Sequence, residues 1–558
     1  MLRDNVGRIV GTAAFVAIML ALRARDVRGQ SSPLQRAGDT LAFVDVNVVP
    51  MGRERILAHQ TLLVAGGRIA AIGAVNTVRV PASAARVEGQ GRLFVIPGLA
   101  DMHVHVRYDS DVQLLLAAGV TTVRNMSGTP FHIDLRRRIA EGTLLGPRII
   151  TAGAQLRGEP TSGGTPANAR AVVDSQAAAG YDFIKPYDGL PKDSYAAAVA
   201  AAAEHHLPVA GHVPTEVGVL GVLSAHQASI EHVEQIVYHY FSSFSVDPKD
   251  LDTARVPVIA RAIADARTYV TPTLAMIHLL QLQWENPDSV LSRPEIKYID
   301  PETYAWWRTD RGHNSAMNRV MEPFLQRLVR AFRDSGARML AGTDYYSFGI
   351  TPGFGLHREL QALVDAGLTP YQALETATRN PAEFLGEADE AGTVTTGKIA
   401  NLVILDANPL ADIRNAAHRT GIVLRGRWLP AKTLDGWLDS LANLAAAEDK
   451  LVDEALALGG GARLRARHDS IPAFQRSTLA QVADALLSAK RFDDAVGVCE
   501  LLARRYETVP TSFTRLGDAY AGAGMKAEAI RAYEDAIRRG AVMADALRKK
   551  IDSLRSGS

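Results

Sequence analysis

Residues 94–107 read FVIPGLADMHVHVR, in which a short apolar run ends at a Pro-Gly pair and is followed by Asp101, His103 and His105. Alternate side chains of a β-strand point to the same face, so an extended segment would aim both histidines at one point. Two imidazoles that converge in this way form half of a metal site. The pair alone is weak support for metal binding, but the apolar strand, the turn and the acidic residue before it justify a search for further ligands.

Composition excludes several classes of partner and of site. A chain of 558 residues is too long for one hydrophobic core, which predicts two or three domains. The 61 basic and 60 acidic side chains nearly cancel, so no nucleic acid is expected as a partner. Cys499 is the only cysteine, which excludes an intrachain disulfide and a cysteine-based zinc site. A metal would therefore depend on His, carboxylate or modified Lys ligands.

The N-terminal segment is typical of an exported protein. Arg3 and Arg8 precede an apolar run over residues 9–22, and small and polar residues follow it. This layout predicts a secretory signal peptide at residues 1–29 and a mature protein that is periplasmic or secreted. The run is shorter than the roughly 20 residues that cross a bilayer, and an uncleaved membrane anchor is the alternative.

The α/β region between residues 99 and 387 alternates short apolar runs with amphipathic helical stretches. Eight such units predict a (β/α)8 TIM barrel, in which reactive residues lie at the C-terminal ends of the strands. The predicted strands are residues 95–99, 121–126, 148–153, 183–187, 208–212, 229–233, 269–274 and 338–344.

Two β-rich pieces flank this region. Residues 30–98 and 388–432 alternate apolar and polar side chains around Gly and Pro turns. The pattern predicts strands, and their position on either side of the barrel suggests one small β-sandwich built from both flanks.

The segment 277–320 is longer than a strand-to-helix loop requires and contains three tryptophans. Long insertions on the catalytic side of a barrel often cover the site, so a lid is predicted. A helical hairpin packed outside the barrel is the alternative.

The last part of the chain, residues 433–558, is predicted to be helical. Residues 484–495 and 518–529 align at an offset of 34 residues, the period of tetratricopeptide repeats, which predicts such repeats at about 476–545. Two repeats are marginally stable alone. Packing on the barrel, self-association as a homo-oligomer and binding of a partner protein all remain open.

Four further polar residues occupy predicted strand ends: Lys185, His212, His232 and Asp344. Each alone could be an ordinary loop or surface residue. They share the edge at which barrel enzymes assemble their sites. Together with the first two histidines they predict one metal site.

The motifs IPGLADMHVH, FIKPYDG, PVAGHVP, SIEHVE and LAGTD, with the closing stretch GTVTTGKIANLVILDANPL, resemble the amidohydrolase superfamily over residues 40–432. The resemblance is closest to Xaa-Pro dipeptidases and imidazolonepropionase-like proteins. It implies a hydrolase whose metal site lies at the top of a (β/α)8 barrel beside a β-sandwich.

The resemblance also implies a ligand set, namely His103, His105, Lys185, His212, His232 and Asp344. The first two histidines would hold the more buried of two divalent ions, and the last two the more exposed one. Lys185, converted to a carbamate by CO₂, would bridge the ions. Zinc is expected, with manganese, iron and cobalt as alternatives. An unmodified lysine beside one ion is the alternative to the bridge.

The implied reaction is hydrolysis of a C–N amide bond by metal-activated hydroxide, with Asp344 orienting the nucleophile and moving its proton. A small amide or peptide, such as a dipeptide or an N-acyl amino acid, would be the substrate. A mononuclear deaminase or cyclic-amide hydrolase is one alternative. An inactive barrel that acts as a scaffold through its helical repeats is another.

Two departures from the family pattern leave the substrate open. Thr165, in TSGGTPAN, stands where peptidase-like relatives carry a histidine, and Pro186 follows Lys185 directly. An arginine at a strand end could clamp a substrate carboxylate, or it could pair with an acid of the barrel. The candidate substrate-binding residues are Arg124, Arg157, Tyr187, Tyr238 and His357.

Overall fold

The computed structural model describes residues 40–243, 246–300, 303–304, 307, 316–347, 349–466, 476–507, 509–539, 541 and 544–556. The predicted signal peptide at residues 1–29 lies outside these ranges. Among the residues described, no helix is both long enough and apolar enough to cross a membrane.

The strands of the described chain are β1 Leu41–Val48, β2 Leu57–Ala65, β3 Arg68–Ala74, β4 Ala85–Glu88, β5 Phe94–Pro97, β6 Leu99–Val104, β7 Val120–Asn125, β8 Arg148–Thr151, β9 Ala210–Gly211, β10 Ser229–Glu231, β11 Tyr269–Thr271, β12 Leu402–Leu405, β13 Arg419–Leu424 and β14 Arg427–Pro430. Short strands rich in Val, Ile and Leu dominate, as expected for buried sheet.

One eight-stranded sheet takes strands from both flanks of the sequence. Its order is β14-β13-β12-β5-β1-β2-β3, and β4 pairs with β1. The antiparallel pairing of β12 with β5 joins the two flanks, with Leu402 opposite Pro97 and Leu405 opposite Phe94. An apolar cluster that includes Phe43 and Ile404 covers one face. The strand β5 therefore connects this sheet directly to β6, which begins two residues later.

The central region contains two parallel three-stranded sheets, β6-β7-β8 and β11-β10-β9. Single parallel bridges extend them, pairing Ala152 with Phe183, Ile184 with Val209, Val270 with Met339 and Val104 with Tyr345. The described region is thus an α/β fold, but its sheets do not form the one closed sheet that the sequence predicts. The described segments near residues 183 and 339 pair with their neighbours through isolated bridges and not through continuous ladders.

The helices are α1 Asp109–Ala117, α2 Pro130–Ala140, α3 Pro166–Ala178, α4 Lys192–Glu204, α5 Gly218–Ser224, α6 Glu234–Ile236, α7 Val256–Ala266, α8 Leu274–Glu285, α9 Pro287–Leu291, α10 Ala316–Ser335, α11 Phe354–Asp365, α12 Pro370–Thr376, α13 Arg379–Phe384, α14 Ala431–Leu456, α15 Gly460–Ala466, α16 Arg476–Ser488, α17 Phe492–Arg505, α18 Pro510–Gly522, α19 Lys526–Arg538 and α20 Ala544–Ser556.

Local sequence explains where several helices begin. At α12 the Thr369 hydroxyl accepts a hydrogen bond from Gln372 N at 3.2 Å, and the Gln372 side chain accepts one from Thr369 N at 2.9 Å. This reciprocal cap satisfies two amides at the start of the helix, and Pro370 suits the first helical position. The helices around the parallel strands pack on them through the largest apolar cluster of the chain, which includes Leu115 and Phe332.

The predicted lid segment contains α8, α9 and a 3₁₀ turn at Pro294–Tyr298. Trp307 is fully buried, and its carbonyl accepts a hydrogen bond from Gln283. Part of the segment, including Trp306, lies outside the described residues, so the lid stays a prediction.

The C-terminal region is helical, as predicted. Helices α16 and α18 end at Ser488 and Gly522, and α17 and α19 begin at Phe492 and Lys526, so these ends and these starts are each 34 residues apart. Apolar clusters of their own hold these helices together.

Candidate metal centre

Three of the predicted ligands meet at one point of the structure. One ligand atom from each of His103, His232 and Asp344 lies within 4.8 Å of the other two. His103 lies in β6, and His232 directly follows β10. Asp344 is attached to the same edge, because its backbone N–H donates to the His103 carbonyl at 2.8 Å. Parallel strands bring their carboxyl ends to one edge, and that geometry gathers residues distant in sequence.

The other three predicted ligands surround this group. His105 Nε2 lies 2.9 Å from Asp344 Oδ1, and Lys185 Nζ lies 3.5 Å from His103 Nε2. The His212 and His232 rings are 4.9 Å apart between centroids. The structure therefore brings all six residues into one cluster.

Burial divides the cluster in a way that the sequence did not predict. His103, Lys185 and His232 are almost completely buried, and we call them the floor of the site. The His105 side chain is 26% exposed and that of His212 is 8% exposed, and we call these two the rim. His105 is the most exposed histidine of the four. That His103 and His105 hold the more buried ion, as the resemblance implies, stays a prediction.

A buried acid–base pair holds His103 in place. Glu231 Oε2 accepts from His103 Nδ1 at 2.9 Å, and Glu231 Oε1 accepts from Arg124 Nη2 at 2.6 Å. Arg124 also donates to Ser229 Oγ at 2.9 Å and to the Met102 carbonyl at 2.7 Å. The contact at Nδ1 leaves His103 Nε2 directed at the other ligands, as expected for a metal-binding histidine.

The second floor histidine depends on unusual backbone. His232 Nδ1 lies 2.9 Å from Thr273 Oγ1. His232, Thr273 and Asp344 adopt left-handed backbone with φ of 65°, 51° and 54°. Histidine and aspartate adopt this conformation more readily than most residues, whereas a β-branched residue such as Thr273 is strained in it. Such positions persist where the surrounding structure enforces them, typically at functional sites.

The rim histidine His212 is held by more exposed groups. Its Nδ1 lies 2.8 Å from Asp188 Oδ1, and the Asp188 side chain is 24% exposed. The Tyr187 ring stacks on the His212 ring with centroids 4.2 Å apart. Above Tyr187, the Arg157 guanidinium carbon lies 3.9 Å from the ring centroid. A cation, a phenol and an imidazole thus form one stack at the edge of the site.

Asp101, which precedes the histidine pair, has a structural role. Its Oδ1 accepts from the backbone N–H of His103 and of Thr343, and its Oδ2 accepts from the Thr343 hydroxyl at 2.7 Å. Burial raises the pKa of Asp101 to about 7, although these hydrogen bonds oppose the shift. The carboxyl fastens β6 to the segment that carries Asp344.

The electrostatics of the cluster favour cation binding. Burial lowers the pKa of His103 and of His212 well below the usual value and that of His232 to about 3, so these rings are neutral at pH 7 and keep a lone pair for a cation. Burial acts to raise the pKa of Asp344, but the contact with His105 and the neighbouring charges outweigh it and hold the pKa below the usual range. Burial lowers the pKa of Lys185 to about 8, against the attraction of Glu231.

The donor set fits a divalent metal ion. Neutral imidazole nitrogens and a carboxylate oxygen are the ligands that zinc, manganese, iron and cobalt accept, and no thiolate is needed. The residues that would hold the ion are the floor histidines with Asp344, supplemented by the rim histidines and Lys185.

The predicted substrate-binding residues are distributed unevenly. Tyr187 and Arg157 lie at the rim, and Tyr238 is half-buried in a π-helical turn, Val237–Phe241, that continues α6. Arg124 is fully buried, and the Glu231 carboxylate occupies one of its donors. It is therefore placed to orient His103 rather than to touch substrate.

His357 and Thr165 lie in other surroundings. His357 Nε2 contacts the Ala118 carbonyl at 2.9 Å, and the ring lines a separate cleft beside Phe354 and Arg419. Thr165 caps α3, with its hydroxyl accepting from Asn168 N at 3.3 Å. Thr165, which stands where peptidase-like relatives carry a histidine, thus caps a helix in this chain.

Sequence reasoning missed Glu231, Asp188 and Thr273, which contact the ligand histidines. Glu231 did carry a signal, because a carboxylate inside a buried strand must have a partner. Asp188 and Thr273 stand in loops, where acids and hydroxyls are common, and their positions carried no comparable signal.

Comparison with known proteins identifies the family. Residues 94–429 match the model of the amidohydrolase family. No curated protein sequence matches the chain.

Solved structures share the fold at low identity. A putative prolidase from Bifidobacterium longum is 24% identical, with a TM-score of 0.55 over 73% of this chain and 100% of that one. A bottromycin amidohydrolase is 24% identical, with a TM-score of 0.58 over 75% and 94%. A Xaa-Pro dipeptidase with methionine in its active site is 20% identical, with a TM-score of 0.53 over 70% and 100%. The family match alone spans more than half of this chain. The chain therefore belongs to the amidohydrolase family, whose members are hydrolases that act on carbon–nitrogen bonds.

Proposed function

We propose that this protein hydrolyses the amide bond of a small substrate that carries a free carboxylate, such as a dipeptide or an N-acyl amino acid. The observation that carries the proposal is the convergence of His103, His232 and Asp344 within 4.8 Å, with His105 and Lys185 in contact with them. Neutral imidazoles around a carboxylate suit a hydrolytic metal site.

Divalent metal bound by this cluster would acidify water and polarise the substrate carbonyl. We further propose two ions, with Lys185 converted by CO₂ to a carbamate. Burial of Lys185 beside His103 supports this, because a carbamate has two oxygens for ligation whereas an ammonium has none. Zinc is the expected metal.

Asp344 moves the proton in this proposal. Its carboxylate faces His105 Nε2 at 2.9 Å and converges with the other ligand atoms, so it is placed to accept a proton from the attacking water. The same carboxyl group then delivers that proton to the leaving nitrogen. The chain's single cysteine is buried at position 499 in another region, so no thiol nucleophile takes part.

Arg157 would bind the substrate carboxylate. Its guanidinium is held over Tyr187, and its Nε and Nη2 donate to the Gln155 side-chain oxygen at 3.2 and 2.5 Å. Within the described part of the chain it forms no ion pair with an acid. A guanidinium can bind a carboxylate through two hydrogen bonds, and Tyr187 links it to the metal-site histidine His212.

Metal content per chain, measured together with hydrolysis of dipeptides and N-acyl amino acids, tests the proposal. We expect about two ions in the wild type, and the loss of at least one ion and of turnover in Lys185→Ala. The control is Lys249→Ala, which removes an exposed lysine. Turnover with one ion in both proteins would remove the bridge from the proposal, and no turnover on any substrate with metal bound would contradict it.

A mononuclear deaminase or cyclic-amide hydrolase is the second candidate. The close grouping of His103, His232 and Asp344 favours it, because these three alone could hold one ion with room for water. One ion per chain, release of ammonia and no loss of metal in Lys185→Ala would support this candidate.

Three broader expectations accompany the function. We propose that the eight parallel segments form a single (β/α)8 barrel, which the bridges between neighbouring segments support.

We propose that α16 to α19 are tetratricopeptide-type repeats used for self-association or for binding a protein partner, which their 34-residue spacing supports. Export to the periplasm or beyond is proposed from the sequence of residues 1–29.

A further inference from the structure

Helix α8 begins beside the metal centre without the side-chain cap that is usual for a threonine. Thr273 directly precedes Leu274, the first residue of α8, but its side chain does not cap the helix. A threonine at this position ordinarily accepts, through its hydroxyl, a hydrogen bond from an N–H group of the first turn. Here the hydroxyl lies 2.9 Å from His232 Nδ1 instead. The metal-site histidine therefore takes the group that would otherwise cap the helix.

Glu359, in α11, supplies the acceptor that α8 lacks. Its Oε2 accepts a hydrogen bond from Ala275 N at 2.7 Å, although the two residues are 84 positions apart in sequence. Burial raises the pKa of Glu359 to about 8, and the N–H groups of Ala275, Leu274 and Thr273 oppose the shift. One carboxyl group thus lies against the first amides of α8, which have no partner within the helix.

The contact between Glu359 and α8 also bears on the strained backbone beside it. Thr273 adopts left-handed backbone with φ of 51°, which a β-branched residue keeps where neighbouring contacts enforce it. The hydrogen bond to Ala275, two residues later, is one such contact. An oxygen of a carboxyl group can accept it in the ionised and in the protonated form, so the contact does not depend on the charge of Glu359.

We propose that Glu359 is a positioning residue for metal binding, which caps α8 in place of Thr273 and leaves the Thr273 hydroxyl to orient His232. The inference rests on the metal site of the proposed function and not on the identity of the substrate. Without the Glu359 acceptor, the unpaired amides at the start of α8 compete for the Thr273 hydroxyl. His232 then loses the contact that fixes its ring.

The affinity for Zn²⁺, measured by competition with a chelating dye, tests the inference. Glu359→Met keeps the length of the side chain and removes the acceptor. We expect the affinity for at least one Zn²⁺ to fall about 10-fold, because a residue that orients a metal ligand typically contributes this much or more. Glu359→Gln keeps an oxygen that can accept from Ala275 N, so this variant should bind Zn²⁺ as the wild type does.

A double-mutant cycle with Thr273→Val distinguishes positioning from a general loss of stability. Thr273→Val keeps the shape of the side chain and removes the hydroxyl, so it should itself weaken Zn²⁺ binding about 10- to 100-fold. If Glu359 acts through that hydroxyl, Glu359→Met should cause no further loss in this background. Equal losses in both backgrounds would contradict the inference.

The control variant is Leu360→Ala. Leu360 is the neighbour of Glu359 in α11 and is fully buried in the largest apolar cluster. Its truncation destabilises the core without removing an acceptor from α8, so the affinity for Zn²⁺ should stay at the wild-type value. Circular dichroism at the temperature of the titration shows that each variant is folded. If Glu359→Met does not fold, Glu359→Asp replaces it, because the shorter side chain withdraws the acceptor and should also weaken Zn²⁺ binding.

The remaining outcomes separate the inference from the proposed function. If the acceptor-deficient variant binds Zn²⁺ as tightly as the wild type, the inference is wrong and the proposed function stands. The inference is also wrong if Leu360→Ala loses affinity to the same extent, because the effect is then one of stability. If the wild type binds no divalent metal, the proposed function fails and the inference with it.

Discussion

One histidine at the floor of the metal centre and one at the rim are held by the same contact in different surroundings. At the floor, His103 Nδ1 meets Glu231, which is fully buried and paired with Arg124. At the rim, His212 Nδ1 meets Asp188, whose side chain is 24% exposed. The floor contact is therefore also part of the protein core, whereas the rim contact is open to water. Changes at the floor should cost folding stability, and changes at the rim should cost binding.

The largest effect is expected at the floor, in Glu231→Gln. This change leaves the Arg124 guanidinium buried without an anion, which typically costs about 3–5 kcal/mol in the free energy of unfolding. Urea unfolding of the metal-free protein measures the loss. Replacing both partners, in Arg124→Met with Glu231→Leu, should recover part of it, because no buried charge then remains. A loss below about 1 kcal/mol in the single variant would contradict the distinction between floor and rim.

Glu359 is a buried acid, and its contribution to folding stability should depend on pH. Burial raises the pKa of Glu359 to about 8, although Ala275 N donates to it at 2.7 Å. The unfolded chain loses this proton near pH 4.5, so the contribution of Glu359 to stability is present below that pH and is lost as the pH rises to about 8. We expect the melting temperature of Glu359→Gln to fall less than that of the wild type between pH 5 and 8. Parallel pH profiles of the two proteins would contradict this prediction.

A substitution at the rim should weaken metal binding and leave the folding stability of the metal-free protein nearly unchanged. In Asp188→Asn the carboxylate no longer orients His212, and such changes typically weaken metal binding about 10- to 100-fold. Competition with a chelator measures the affinity, and the melting temperature of the metal-free protein should change by only a few degrees. A strong loss of stability without a change in affinity would place Asp188 with the floor.

The smallest effect is expected for an ion pair on the surface of the C-terminal helices. Arg515 Nε donates to Asp484 at 2.7 Å, but both side chains are substantially exposed. Asp484→Asn should change the free energy of unfolding by less than about 1 kcal/mol. Unfolding in urea beside Glu231→Gln gives the direct comparison of an exposed pair with a buried one.

Sequence alone predicted the parts of the site that depend on strand ends. The pair His103 and His105, with His212 and His232, could be placed because each follows or lies in an apolar run. The α/β class and the helical C-terminal region followed from the same alternation. The end of a strand can be predicted from sequence because the spacing of apolar residues changes there.

The remaining features depend on packing between distant segments. Arg124 was a candidate for substrate binding, with pairing to an acid of the barrel as the alternative. It pairs with Glu231, which lies more than 100 residues later in the chain. The exposed fraction of the His105 side chain and the isolated bridges near Phe183 likewise depend on how distant segments pack against each other. Single-sequence patterns do not specify such long-range pairings.

The left-handed backbone at His232, Thr273 and Asp344 couples the backbone conformation of the site to its side chains. Glycine would adopt these conformations with less strain, most of all in place of the β-branched Thr273. Each such replacement would remove a ligand or the hydroxyl beside one. Relief of backbone strain and loss of a group that the site uses therefore go together at these three positions.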